Sequence, residues 1–337
     1  MRKNRNTAVI AAAAVLSLVL LSGCRELPGK EAADNQLEQS FSGTLEQDLT
    51  EAGQEISEST SGIGINIDEA MTDIGEGFAT AMEGVGNVVQ NTAELVVNET
   101  KAGGISREFS TSAEVGSASI LSLDNSVGQI QVIASDSNKI NVTATVITHN
   151  KAKEKFAAEL LDKAEVTVKI SGDKLIVSTH AKESPKKDLW SWAHKEYGTS
   201  EFSIDYVIGI PAGIDGYEIN NNVGTVQLHG VQGIFHVVSD VGAIVLEDVE
   251  ITGKSTVKSD TGSIRLDIRG MGSGSSLKAS SNIGAVSASL AGDLKCTVEA
   301  KSDLGQIIGV GKGKQDFNGG GPLLSLSTDI GSISVQN

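Results

Sequence analysis

The sequence predicts an all-β protein whose main part is a β-solenoid of roughly 20-residue repeats turned at glycines. Three observations carry that reading. First, one short phrase keeps returning: NSVGQIQV at 125–132, NNVGTVQL at 221–228, SDVGAIVL at 239–246, SDTGSIRL at 259–266, SNIGAVSA at 281–288, SDLGQIIG at 302–309 and TDIGSISV at 328–335. Second, the glycines of the later copies, Gly224, Gly242, Gly262, Gly284, Gly305 and Gly331, are 18, 20, 22, 21 and 26 residues apart, with Gly128 in the earliest copy. A period near twenty with alternating apolar residues is the mark of a stacked β-coil. Third, the 337 residues hold 38 glycines, 4 prolines and only 4% aromatics. That mixture suits thin β-structure filled by small side chains better than an enzyme core built on aromatics.

The elements follow in chain order. MRKNRN is a short basic start, and TAVIAAAAVLSLVLL is an apolar run too short and wrongly flanked for an ordinary membrane span. It leads into Leu21, Ser22, Gly23 and Cys24. These residues resemble the lipobox of bacterial lipoproteins. The resemblance implies a signal peptide at 1–23, cleavage before Cys24 and a diacylglyceryl anchor on its sulfur. Two acyl chains of the palmitate class, at about 0.8 kcal/mol per buried methylene, then hold the chain on a lipid bilayer. The expected location is exported, on the cell-surface or periplasmic side of a bacterial membrane. The only other cysteine, Cys296, lies in LKCTVEA and is expected to be a small buried apolar residue.

Residues 24–104 read as an acidic stalk, helical or disordered. From 25 to 104 there are 16 acids against 3 bases, much of the formal net charge of −16. Between 66 and 98, Ile67, Met71, Ile74, Phe78, Met82, Val85, Val89 and Val96 recur mainly at steps of three and four, an apolar stripe on a helix. Gly75, Gly77, Gly84 and Gly86 weaken that helix, at about 1 kcal/mol each against alanine. It therefore needs something to lie against: the following domain, a second copy through self-association, or a membrane surface. No basic patch marks a nucleic-acid footprint, which excludes nucleic acid as an expected partner.

The solenoid is expected over 105–337. Its strand-rich opening is interrupted at about 150–200 by KAKEKFAAELLDKA, a helix with Phe156, Leu160, Leu161 and Ala164 on one side. EVTVKISGDKLIVSTH is a hairpin turned at Ser171–Lys174, AKESPKKDLWSWAHKEYGTS a long polar loop, and FSIDYVIGIPAG a return to strand. From 219 the coils resume. Each phrase is a tight corner followed by a strand. Glycine supplies the positive φ, and the Asn or Asp two residues before it folds onto the local backbone. A second segment, such as FHVVS or STVKS, leads into the next corner, so each coil has at least two strands.

On these residues, the Asn125–Val132 phrase, the strand ending in Ile210-Pro211 and the succession of glycine corners, the span 115–337 resembles a bacterial β-solenoid family known as "putative adhesin". The resemblance implies an envelope location and a surface or scaffold role. It supplies no catalytic residues.

Three constellations remain. The corner residues Asn222, Asp240, Asp260, Asn282, Asp303 and Asp329 should stack along one edge. A carboxylate column offers the oxygen ligands calcium takes. Neighbouring carboxylates repel by about 1 kcal/mol in water, Asn222 and Asn282 interrupt the column, and turn chemistry without a metal is the expectation. Trp190, Trp192 and Tyr197 lie beside Lys186, Lys187, His194 and Lys195. They either fold back over an open flank of the solenoid or present a stacking surface for a sugar or lipid headgroup, and they are the candidate ligand-binding loop. Glu247, Arg265 and Asp267 could meet on neighbouring coils, as a polysaccharide-active β-helix enzyme would need. The favoured reading is a non-catalytic envelope lipoprotein without cofactor, presenting its surface to an envelope protein or glycan. The alternatives are that enzyme and an envelope-stress regulatory lipoprotein whose 66–98 helix docks reversibly.

Overall fold

A computed structural model describes residues 105–148, 154–311 and 313–337. The expected signal peptide, the lipobox-like residues with Cys24, the expected acidic stalk and the expected 66–98 helix all fall outside the described residues. Those described form an all-β structure of 21 strands with two helices.

The chain opens with β1 (Ser106–Glu114), β2 (Ile120–Val127), β3 (Ile130–Ala134) and β4 (Lys139–Thr148). After α1 (Glu154–Lys163) come β5 (Ala164–Ser171), β6 (Lys174–Ala181) and β7 (Ser184–Asp188), then α2 (Leu189–Tyr197) and β8 (Phe202–Ile210). The repeats follow as strand pairs: β9 (Gly216–Val223) with β10 (Val226–His229), β11 (Gln232–Val241) with β12 (Ile244–Ile251), β13 (Lys254–Thr261) with β14 (Ile264–Met271), and β15 (Ser276–Ile283) with β16 (Val286–Leu290). The last pairs are β17 (Cys296–Leu304) with β18 (Ile307–Ile308), and β20 (Leu323–Ile330) with β21 (Ile333–Gln336), separated by β19 (Gly313–Phe317).

The two strands of a repeat join different ladders. One ladder runs β2, β9, β11, β13, β15, β20, β17, parallel throughout. The other runs β3, β10, β12, β14, β16, β21, β18, also parallel. Equivalent residues stay in register from strand to strand. Ile130, Val226, Ile244, Ile264, Val286, Ile333 and Ile307 occupy one row, all but Ile307 buried. Alternation explains why: with a side-chain period of two, each strand turns one set inward, and a one-residue slip would expose the whole set. Along the facing ladder the inward row reads Leu121, Tyr217, Phe235, Ser255, Leu277, Leu324, Val298. Tyr217 and Phe235 stack with ring centroids 5.1 Å apart. Burying each large aliphatic side chain contributes roughly 1.5–3 kcal/mol.

The ladders do not follow chain order to the end. The final phrase, β20–β21, lies between β15–β16 and β17–β18. The expected sequential stack therefore needs correction in its last two members. The connection 309–322 makes this possible, because it carries the chain back past β17–β18 and contributes β19, antiparallel to β17, on the way.

The segment between β4 and β8 closes the other end. β8 is parallel to β3, and β4 and β1 add to it antiparallel. β6 is parallel to β2, with β5 and β7 antiparallel on it. The hairpin turn sits where the sequence indicates, with Ser171 opposite Lys174 and Gly172 at φ +65°. The polar loop expected at 181–200 instead contains β7 and α2. Asp188 caps that helix by accepting from the Ser191 amide at 2.8 Å, and Gly198, at φ +71°, ends it. Leu189, Trp192 and Ala193, at helical spacing, are its buried face. The many charges around them mask the period in the sequence.

Candidate functional surface

The seven predicted corner glycines fall into a single column. In stack order they are Gly128, Gly224, Gly242, Gly262, Gly284, Gly331 and Gly305, each at φ between +130° and +152°. A Cβ on Gly262 would lie 1.9 Å from the carbonyl oxygen of Gly242. Each glycine admits the next corner's backbone, as well as making the turn.

The residue three positions before each glycine forms a second column, which sequence reasoning registered only as polar. Asn125, Asn221, Ser239, Ser259, Ser281 and Thr328 are buried, and Ser302 is half-buried. Six of the seven side chains bond backbone of the neighbouring strand or corner, while Ser239 Oγ is buried without a hydrogen-bond partner. Ser281 Oγ donates to the Gly262 carbonyl at 2.9 Å, Thr328 Oγ1 to Gly284 at 2.9 Å, and Ser302 Oγ to Gly331 at 2.9 Å. Asn221 Nδ2 donates to the Gly128 carbonyl at 3.1 Å, and Asn125 Nδ2 to Ile204 at 3.2 Å. At the turns these bonds give the glycine carbonyls a donor. The recurrence of Asn, Ser or Thr at that position in every phrase was the available signal.

The next column is the predicted Asp/Asn edge. Asn222, Asp240, Asn282, Asp303 and Asp329 are exposed and Asp260 is intermediate. They were expected to fold onto their own turns. Several instead engage side chains: Lys258 Nζ is 2.9 Å from Asp260, Lys301 Nζ is 2.7 Å from Asp303, and Asn282 Nδ2 donates to Asp260 at 3.2 Å. Burial, and then repulsion from Asp260, raise the Asp240 carboxyl above its ordinary value, with Lys258 working against both. Among the described residues, no group of three or more His, Cys, Asp or Glu side chains is gathered as a metal centre would need.

The outward face of the β2–β17 ladder is broad and regular. Lys254, Thr256 and Lys258 project from one strand, opposite Ser276, Lys278 and Ser280, and then Leu323, Ser325 and Ser327. The three lysines are exposed. The register thus sets ammonium and hydroxyl groups side by side over β13, β15 and β20, with Leu323 at one end and the Lys258 ammonium paired to Asp260, in a chain that is strongly acidic as a whole.

Of the residues of the enzyme alternative, Arg265 lies opposite Val245 and Asp267 opposite Ser289 in the register. Glu247 pairs with His229 at 3.3 Å. A register shift after Leu246 follows, and Asp248, at φ +53°, pairs with Arg269 at 3.4 Å. The bulge re-aims this edge and divides its carboxylates between two bases.

Trp190, Trp192 and Tyr197 belong to α2 rather than to a loop, and they pack inward. Trp192 is 5% exposed and meets Tyr197 edge-on at 5.5 Å, with Lys163 Nζ 5.4 Å from its ring centre. Trp190 stacks on Phe202 at 5.2 Å, and Tyr197 meets Phe156 at 5.1 Å. Burial raises the Tyr197 phenol above its usual range. The packing sets these three rings against the hydrophobic core and against neighbouring aromatic rings. Cys296 is buried, and burial raises its thiol.

No protein-family model matches the chain, and no curated protein sequence matches it. It is similar to a solved "putative cell adhesion protein" from Clostridium sporogenes, at 14% identity over 69% of this chain and 99% of that one, with a TM-score of 0.40. It is also similar to a "putative adhesin" from Bacteroides fragilis, at 17% identity over 68% and 97% with a TM-score of 0.31. A "putative lipid binding protein" from Parabacteroides distasonis follows, at 14% identity over 68% and 97% with a TM-score of 0.27.

Proposed function

We propose that this chain is a bacterial envelope lipoprotein, anchored through Cys24, whose paired ladders are the walls of a β-solenoid that displays a binding surface rather than a reaction centre. The observation that carries the reading is the in-register outward face of Lys254, Thr256, Lys258, Ser276, Lys278, Ser280, Ser325 and Ser327. Parallel registration repeats donors at a fixed spacing of about 4.8 Å over several strands. Such a face suits an extended anionic or hydroxylated envelope polymer or a complementary protein surface. Ammonium groups supply charge attraction and hydroxyls supply adaptable hydrogen bonds.

The sequence supports the anchor through Leu21-Ser22-Gly23-Cys24. Neither α1 nor α2 is long and apolar enough to cross a membrane. The acidic segment would lift the folded part off the bilayer.

The experiment has two arms. Cells expressing the full chain are labelled with an alkyne fatty acid and fractionated; Cys24→Ala should lose both the label and membrane association. Retention of both would remove the anchor. Separately, binding of the purified chain to isolated cell-envelope material is compared with a Lys254→Gln, Lys258→Gln, Lys278→Gln variant. Unchanged binding by a folded triple variant would remove this face as the contact surface.

A further inference from the structure

We propose that β20–β21 is an exchangeable strand pair, and that the slot it fills in one copy of the chain can be filled by the same segment of a second copy, giving a symmetric swapped dimer. The placement of this segment motivates the idea. From β9–β10 to β15–β16 each phrase stacks on the phrase before it in the chain, whereas residues 323–336 enter between two repeats that are already present earlier in the sequence. β15 and β17 flank it on one ladder, and β16 and β18 on the other. Both walls precede the segment in the chain, and β17–β18 is joined to β15–β16 through it.

The slot is specific for this type of strand pair. Leu324, Leu326, Ile333 and Val335 are buried in it. Thr328 Oγ1 donates across one wall to the Gly284 carbonyl, and the Gly331 carbonyl accepts from Ser302 on the other, both at 2.9 Å. Gly331 and Gly305 continue the glycine column, and a Cβ on Gly331 would lie 2.0 Å from the Gly284 carbonyl oxygen. An identical segment from another copy satisfies every one of these groups equally well, so exchange changes only which chain supplies them. Swapping of an identical element through a hinge is a low-cost route to a dimer.

The hinge is present. The connection 309–322 carries glycines at 309, 311, 313, 319, 320 and 321. Of these, Gly309, Gly313, Gly319 and Gly320 have φ between +78° and +94°. Glycine makes redirection of such a connection sterically cheap. Within it β19 pairs antiparallel with β17, Asn318 donates to the Gly292 and Leu294 carbonyls, the Gly321 amide donates to Thr297 Oγ1, and the Pro322 carbonyl accepts from the Thr297 amide. The β19 and Asn318 ties hold the hinge to its own copy, and on exchange the bonds to Thr297 pass to the partner copy together with the strand pair.

The test uses full-length chain carrying Cys24→Ser, purified in detergent. Ser280 and Ser327 are register partners on neighbouring strands and project to the same face. Adjacent parallel positions are within reach of a disulfide. Two single variants, Ser280→Cys and Ser327→Cys, are unfolded together, refolded at high concentration and oxidised. An interchain disulfide forms efficiently only if residue 327 of one copy sits beside residue 280 of the other. The control pairs Ser327→Cys with Ser122→Cys, which lies on β2, five strands from β20 along the same ladder. The expected yield of linked dimer is about tenfold or more above that control, since a seated segment has a local concentration far above that of free collision. Equal yields in the two mixtures would overturn the proposal. A double variant holding both cysteines in one chain should close internally when refolded dilute, and its failure to do so would overturn the slot register on which the proposal stands.

Discussion

Gly262→Ala is the sharpest perturbation of the glycine column. The added methyl would lie 1.9 Å from the Gly242 carbonyl oxygen and 2.6 Å from its carbon, at a φ of +148°. Neither atom is the end of a flexible side chain, so backbone must move. Holding a non-glycine residue in such a conformation costs about 1–3 kcal/mol. Moving the corner also strains two hydrogen bonds, from the Gly262 amide to Ile283 at 2.8 Å and from Ser281 Oγ to the Gly262 carbonyl at 2.9 Å. Each is worth about 1 kcal/mol net. The expected loss is about 3–5 kcal/mol, read as a lowered urea midpoint by circular dichroism. Gly172→Ala is the matched comparison. Its φ is +65°, yet a Cβ there meets nothing within 4 Å, so conformational strain of about 1 kcal/mol is the whole cost. If the two substitutions shift the midpoint equally, contact between successive corners is not what fixes glycine in the column.

Three further outcomes follow from the same geometry. Ser281→Ala should destabilise by about 1–2 kcal/mol, because the buried Gly262 carbonyl loses its donor, and Ser281→Thr should recover most of the loss in the same urea assay. Trp192→Ala should cost about 3–5 kcal/mol, with Trp190→Ala milder because that ring is only half-buried, and equal losses would contradict the described packing. Asp240 is raised by burial and by Asp260, so the folded chain holds its proton to higher pH than the unfolded chain does. Stability from this group is therefore lost as pH rises through its folded value, and Asp240→Asn should be the more stable form at pH 7. That advantage should shrink below the ordinary aspartate range and in high salt, and urea midpoints across pH that stay parallel would refute it.

Much of this architecture could be read from the letters, for identifiable reasons. The glycines at 128, 224, 242, 262, 284, 305 and 331 stand out because no other side chain fits where backbone meets backbone. The alternation around Ile244 and Leu246, or Ile264 and Leu266, is visible because one face is wholly buried. The role of Ser281 and its equivalents was harder to see. A hydroxyl reaching to the next repeat and one reaching to its own turn leave the same letter in the sequence. The order of the last two strand pairs left no local trace, since SDLGQIIG and TDIGSISV obey the same pattern and either satisfies either position. The helix at Leu189–Tyr197 was obscured by the charges in and before it, Lys186, Lys187, Asp188, Lys195 and Glu196, although Leu189, Trp192 and Ala193 carried the period. Of the candidate surface, the corner edge was anticipated. The lysine and hydroxyl face was not, because it comes into being only when Thr256, Lys278 and Ser325 are brought into register across three strands.

Every glycine corner, from 128–129 to 331–332, bridges its two strands with two residues. On the opposite side the links differ widely, from the pair 230–231 to the long passage 309–322. Apart from differences within the strands, such as the register shift in β12, irregularity in the repeat length is thus discharged along this seam and kept out of the glycine corners. That seam is where new loops can be grafted, lengthened or labelled while the stack keeps its pitch, whereas a single residue added at the other would throw every later row out of step.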